Sequence, residues 1–180
     1  MKRQNCPVYS LVAWSKSGKT TYLEKLLPCL RELGIRTAVV KHDGHDFTMD
    51  YPQTDTDRLT RAGAEISAIL SSTHGAVLYN CPMSPEDFVG CITGVDLILT
   101  EGFKKESWPK ILLYREARGG EPAVDPDTCF AVITDHPFQT EVPQFPLNDP
   151  SVFAAFLRDT VRQREKNSFS EAESIPQEKV

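Results

Sequence analysis

The sequence predicts an α/β fold, a mostly parallel sheet with helices on both faces. Two observations carry this. Short apolar runs alternate with helix-compatible segments, and strands buried on both faces read as continuous apolar runs. The first such run, Val8–Val12, leads through Ala13-Trp14-Ser15-Lys16-Ser17-Gly18-Lys19-Thr20-Thr21 into a helical segment, the strand–loop–helix order in which a loop cradles phosphate.

The first helix spans residues 22–33, and Gly34 is placed to close it in a left-handed conformation. Residues 35–41 form the second strand around Thr37-Ala38-Val39-Val40. A polar loop covers 42–53, where Pro52 bars regular structure. A short helix is expected over 55–62, ended by Gly63. Strands follow at 65–70, 76–79 and 95–100, the last after a helix that starts at Ser84, carries Pro85 and Glu86 in its first turn and runs to about Thr93. Lys110–Tyr114 and residues 130–134 are two more strands. Residues 115–128, rich in Gly, Pro and acid, read as a loop. Pro137, Pro143, Pro146 and Pro150 mark an irregular connection, after which Ser151 caps a last helix from Val152 to about Arg164. Residues 165–180 are polar and read as a disordered tail, leaving 1–164 as a single nucleotide-binding domain.

With 180 residues, the chain is long enough for one domain with a real core, and its net charge of −5 argues against a broad nucleic-acid footprint. No apolar run approaches the roughly 20 residues that cross a bilayer. The basic start, Met1-Lys2-Arg3, runs directly into the first strand, so no cleavable leader is expected. Cys6, Cys29, Cys81, Cys91 and Cys129 are scattered without a C-x-x-C pair, which reads as reduced thiols in a cytoplasmic protein.

The loop supplies the first candidate site. Backbone N–H groups over Ser15, Lys16, Ser17, Gly18, Lys19, Thr20 and Thr21 can converge on phosphate, and the helix N-terminus adds its dipole. Gly18 permits close approach, Lys19 brings a point charge to the outer phosphates, and the Thr20 hydroxyl suits Mg²⁺. Ala13 stands where the general pattern G-x-x-x-x-G-K-[ST] begins with Gly. Ligands of parallel sheets gather at the carboxyl ends of strands, which singles out Lys41-His42-Asp43, Glu101-Gly102-Phe103-Lys104 and Asp135-His136. Glu101 is expected to hold Mg²⁺ directly or through water, with Lys19 as its catalytic partner. Asp96 opens the same strand, roughly 17 Å away at strand rise, and belongs to the far end.

His42-Asp43-Gly44-His45-Asp46 has transition-metal spacing, but a structural zinc site wants a second ligand pair. Asp43 is instead expected near Mg²⁺ or its waters, and the histidines near phosphate or a partner. The two oxygens of Asp135 match the N1–H and exocyclic amine of guanine. The alternative is that Asp135 caps the turn into Pro137 and the base is read elsewhere, since the Asn-Lys-x-Asp tetrad is absent. Trp14 reads as a packing residue. No arginine finger or water-positioning Gln is evident near the loop, so hydrolysis is expected to be slow.

The phosphate loop, Val40-Lys41-His42-Asp43 with His45-Asp46, Asp96-Leu97-Ile98-Leu99-Thr100-Glu101-Gly102-Phe103-Lys104, and Pro109-Lys110-Ile111 together resemble the molybdopterin-guanine dinucleotide biosynthesis protein B (MobB) family, over about residues 8–157. The resemblance implies a P-loop NTPase fold and a homodimer that binds GTP, hydrolyses it weakly and assists the guanylyltransferase joining GMP to molybdopterin. Lys104 and the 42–46 loop would then face molybdopterin or the transferase. The family tolerates Ala13-Trp14. Lys16 stands where it usually has Gly, and Pro52-Gln53-Thr54-Asp55-Thr56 where it usually reads Pro-Gly-Lys-Asp-Ser. Two other functions of the same P-loop class compete: a small-molecule kinase or synthetase, which needs a second substrate pocket, and a metallochaperone GTPase carrying metal on His42 and His45.

Overall fold

The computed structural model describes residues 6–44 and 47–173. The chain comprises two compact units, the second being Asp43–Cys91. The first unit opens with β1 (Val8–Val12), α1 (Lys19–Glu32) and β2 (Thr37–Lys41). The second unit holds α2 (Asp55–Arg61), β3 (Ile66–Leu70), β4 (Gly75–Tyr79) and α3 (Pro85–Gly90). The chain then returns to the first unit with β5 (Leu97–Glu101), β6 (Lys110–Tyr114), β7 (Ala131–Thr134), β8 (Gln144–Pro146) and α4 (Pro150–Glu173).

The expected α/β class with a parallel sheet is what the first unit adopts. Its six strands lie in the order β2-β5-β1-β6-β7-β8, and every pairing is parallel. Alternate side chains point to opposite faces. Tyr9, Leu11, Leu97, Leu99, Ile111, Leu113 and Ile133 share one core with Leu23, Leu26 and Leu30 of α1 and Phe153, Leu157 and Val161 of α4. Both long helices therefore cover the same face. The other face, at Leu112 and Val132, packs against Cys129, Val124, Phe138 and Val142 from the connections around β7. A buried Thr100–Ser10 hydroxyl bond of 2.9 Å joins β5 to β1 on that side, so neither polar group is orphaned there.

Helix ends follow local chemistry. Gly34 takes φ 78°, its N–H bonds the Arg31 carbonyl and that of Ile35 bonds Leu30, closing α1 as a Schellman motif. Pro28 sits on the exposed side of α1, where its missing N–H is tolerated by solvent. The cap of α4 differs from expectation. Asp149, not Ser151, takes the role, its carboxylate accepting from the Ser151 N–H at 3.1 Å. The helix also continues past Arg164 to Glu173, through residues read from sequence as a disordered tail; five of these nine, Glu165, Lys166, Glu171, Ala172 and Glu173, are good helix formers, and no proline interrupts them. Residues 174–180 of that tail, and His45 and Asp46, lie outside the described residues.

Two strand readings change. Residues 66–70 and 75–79 do not join the parallel sheet but pair with each other as an antiparallel hairpin in the second unit. There Thr54 caps α2 by accepting from the Asp57 N–H, Ser84 caps α3 by accepting from that of Asp87, and the buried Ser67 bonds Thr60 of α2 at 3.0 Å. β8 lies inside the proline-marked connection. It is an edge strand, and an edge tolerates Pro146 because one side of it needs no ladder partner. Among the described residues, no helix is long and apolar enough to cross a membrane.

Candidate functional site

β1 lies between β5 and β6, with Leu11 opposite Glu101 and Val12 opposite Leu112. The carboxyl ends of both neighbours therefore flank the exit of β1 into the loop. The Gly102 N–H bonds the Leu11 carbonyl at 3.1 Å, and the His42 N–H bonds that of Glu101 at 3.0 Å. These bonds place the Glu101 side chain beside the loop. Gly102 turns the chain away at φ 99°, and a Cβ there would lie 3.3 Å from that of His42.

The loop is closed from inside. Buried Ser17 donates its hydroxyl to the Trp14 carbonyl at 2.8 Å. Lys19 Nζ donates to the carbonyls of Trp14 at 3.0 Å and Ala13 at 3.4 Å, so the amine reaches across the loop rather than into solvent. Gly18 holds φ 89° and Lys16 φ 61°. α1 starts at Lys19 with no side-chain cap, leaving its first N–H groups for an anion. Thr20 Oγ1 lies 3.1 Å from each Glu101 oxygen. That hydroxyl–carboxylate pair, hard oxygens from two elements meeting at a helix N-terminus, fits Mg²⁺, and Thr20 and Glu101 are the residues that would hold it.

The cationic surround is larger than the sequence suggests. Lys104 Nζ stands 4.1 Å from the Trp14 ring centroid and Arg118 Cζ 5.8 Å from it. Trp14 is 44% exposed, and its Nε1–H bonds the Glu121 carbonyl at 2.9 Å. The expected packing role is thus replaced by a ring held at the rim. Burial holds the Lys19 amine below the ordinary lysine range; Glu101 opposes this, while Lys104 and Arg118 add to it. Burial and Arg118 likewise lower Lys104. A Cβ on Gly18 would lie 3.5 Å from Arg115 Nη2, so that guanidinium also lies against the loop.

Arg115 and Arg118 are two basic residues at the loop that the sequence reading did not single out. Arg115 follows β6 directly, and the strand-end rule would have found it. Arg118 lies in a Gly-rich stretch with no local signal, and only tertiary packing brings it to Trp14.

Asp135 follows β7, and its Oδ1 accepts the Glu116 N–H at 2.7 Å. It does not cap the turn into Pro137; Thr134 does, exchanging hydrogen bonds with the His136 N–H and carbonyl at 2.9 and 2.8 Å. His136 Nδ1 lies 2.9 Å from Glu116 Oε1. Asp135, Arg115, Lys25, Gln144, Phe145 and Asn148 line a cleft of about 640 Å³. Arg115 belongs to both this cleft and the loop's surround.

Asp96 opens β5 at the far end and binds Arg36 through its backbone N–H and guanidinium. Asp43 begins the second unit and is exposed. His42 packs its ring edge-on to Phe103, with centroids 4.9 Å apart, and Phe103 meets Trp108 at 5.4 Å. Ser15 and Thr21 are exposed on the loop and the first turn of α1. Among the described residues, no group of three or more His, Cys, Asp or Glu could hold a metal ion.

The sequence profile of the family described as Molybdopterin guanine dinucleotide synthesis protein B (MobB) matches residues 8–135. The chain is 34% identical over 166 residues to the Molybdopterin-guanine dinucleotide biosynthesis adapter protein of Escherichia coli K12, covering 88% of this chain and 95% of that one. It is 32% identical over 160 residues to the protein of that name from Haemophilus influenzae, covering 85% and 88%. The crystal structure of Bacillus subtilis MobB superposes with a TM-score of 0.64 at 25% identity, over 84% of this chain and 95% of that one. A MobB homolog from Bacillus stearothermophilus gives 0.59 at 27% identity, over 87% and 98%. The chain belongs to the MobB family, and its fold is of the P-loop NTPase-like α/β type.

Proposed function

We propose that this member of the MobB family is a GTP-binding adapter in molybdopterin guanine dinucleotide synthesis, assisting the guanylyltransferase and hydrolysing GTP only weakly. The observation that carries the nucleotide reading is the Thr20–Glu101 pair at the uncapped start of α1. The names of the relatives in Escherichia coli and Haemophilus influenzae support the adapter role. In this reading the phosphates displace the Lys19 amine from the Trp14 and Ala13 carbonyls and take its charge. Thr20 and Glu101 hold Mg²⁺, which neutralises charge on the outer phosphates.

The cleft beside Arg115 receives the nucleoside. Asp135 keeps Oδ2 and a lone pair of Oδ1 for the two guanine donors, its Oδ1 already anchored by Glu116. Turnover is slow because phosphoryl transfer needs a positioned water as well as charge, and the carboxylate beside Thr20 is committed to the metal. The protein works as a cytoplasmic homodimer.

Calorimetric titration with GTP and ATP in Mg²⁺, followed by co-purification with the guanylyltransferase, tests the proposal. GTP binding and a retained complex are expected. No nucleotide binding, or a turnover of many per second by the protein alone, would refute it, the latter in favour of a kinase or synthetase.

A further inference from the structure

The geometry points to Lys104 and Arg118 as the residues that sense the terminal phosphate, so that this chain distinguishes a nucleoside triphosphate from a diphosphate through a cation pair mounted on Trp14. The inference rests on the nucleotide reading above and adds to it a specificity device from outside the phosphate loop.

Position comes first. The Lys19 amine, which serves the outer phosphates, lies at the Trp14 carbonyl. Trp14 therefore stands within reach of the amine that serves the outer phosphates. The cleft with Asp135 and Lys25 opens beside Arg115, against Gly18. Lys104 and Arg118 gather at Trp14, and neither lines that cleft.

Rigidity comes second. The Trp14 ring is held by its bond to the Glu121 carbonyl. Lys104 leaves a turn set by Gly102 at φ 99° and Phe103 at φ 53°, and Lys110 Nζ secures the Phe103 carbonyl at 3.0 Å. A flexible lysine on such a turn, resting on a fixed ring, loses little freedom when an anion arrives.

Charge comes third. Neither Lys104 nor Arg118 forms a salt bridge among the described residues. Lys104 and Arg118 share the Trp14 ring, and Lys19 Nζ bonds the carbonyl of the same residue at 3.0 Å. Three cations with Glu101 as the nearby counter-charge favour a multiply charged anion at this point. A γ-phosphate supplies one; a diphosphate ends one group short of it.

The test measures affinity of the full chain, with Mg²⁺, for GDP and for the non-hydrolysable imido analogue of GTP. The wild type is expected to bind the triphosphate more tightly. Lys104→Gln and Arg118→Gln should each weaken the triphosphate roughly tenfold while changing GDP less than about twofold, and the double variant should bring the two ligands close together. Trp14→Phe keeps the ring but drops the Glu121 bond, and should lose part of the discrimination. Both cations are exposed, and an unchanged thermal midpoint checks that the variants fold. Equal weakening of both ligands would mean the cations only pack the loop, and no weakening would mean they bind nothing; either overturns the inference while nucleotide binding stands. A wild type that binds neither ligand overturns both readings.

Discussion

Lys16 holds φ at 61°, a left-handed conformation that costs a non-glycine residue about 1 kcal/mol or more. Glycine would remove that strain and add back about 0.5–1 kcal/mol of unfolded-chain entropy. Lys16→Gly should therefore raise stability by a few tenths of a kcal/mol while weakening triphosphate binding through the lost charge. Thermal melting and titration should move in opposite directions. Lys19→Ala removes a charge-assisted hydrogen bond to the outer phosphates and should cost roughly 1.5–3 kcal/mol of triphosphate binding in a protein that still folds. Unchanged affinity would remove the phosphate site. Asp135→Asn replaces one acceptor with a donor facing the guanine amine, so a GTP preference over ATP of roughly ten- to hundredfold should relax. Competition binding with both proteins decides it, and equal preference in wild type and variant would leave guanine to be read elsewhere.

At the scale of elements, the start of β5 is tied to the start of β2. The Arg36 guanidinium and backbone N–H hold the Asp96 carboxyl below its ordinary 3.8. A depressed acid stabilises the fold above that ordinary value, and its contribution fades as pH falls through the lower folded value. Asp96→Asn should thus cost about 1 kcal/mol near neutrality, the ceiling for a partly exposed pair. The gap from wild type should close below about pH 3.8. Denaturant melts at several pH values would show a constant gap if the pair contributed nothing through charge. The seam between α1, α4 and the sheet rests on fully buried Phe153, whose ring meets that of Phe145 at 4.9 Å. Phe153→Ala should cost about 3–5 kcal/mol, read as a shift in denaturant midpoint with little change in slope.

For the whole molecule, ligand linkage is the direct readout. GTP with Mg²⁺ at a hundred times its dissociation constant should add about 2.7 kcal/mol to the folded state. In a chain of 180 residues this corresponds to a rise in thermal midpoint of about 5–10 °C. Lys19→Ala should lose most of that rise at the same GTP concentration. Glu101→Gln should lose Mg²⁺-dependent turnover more than it loses the rise, since the metal pair acts on the outer phosphates. A rise that persists in full without Mg²⁺ would contradict the Thr20–Glu101 assignment.

Sequence by itself determined the elements whose signals are local. The strand–loop–helix of β1 and α1, the Gly34 closure, the buried runs of β2, β5, β6 and β7, and the carboxylate at the end of β5 all follow from short-range sterics and apolar patterning. The partnership of Thr20 with Glu101 was legible because both stand at ends that a parallel sheet brings together. Tertiary structure alone decided the rest. The pairing of β3 with β4 depends on which strand edges meet, and periodicity carries no information on that. β8 was hidden by prolines that only an edge position tolerates. Arg118 reaches Trp14 across a loop whose path depends on long-range contacts, including the Trp14–Glu121 bond, so the positive rim beside the Ser15–Thr21 loop exists only once the chain is folded.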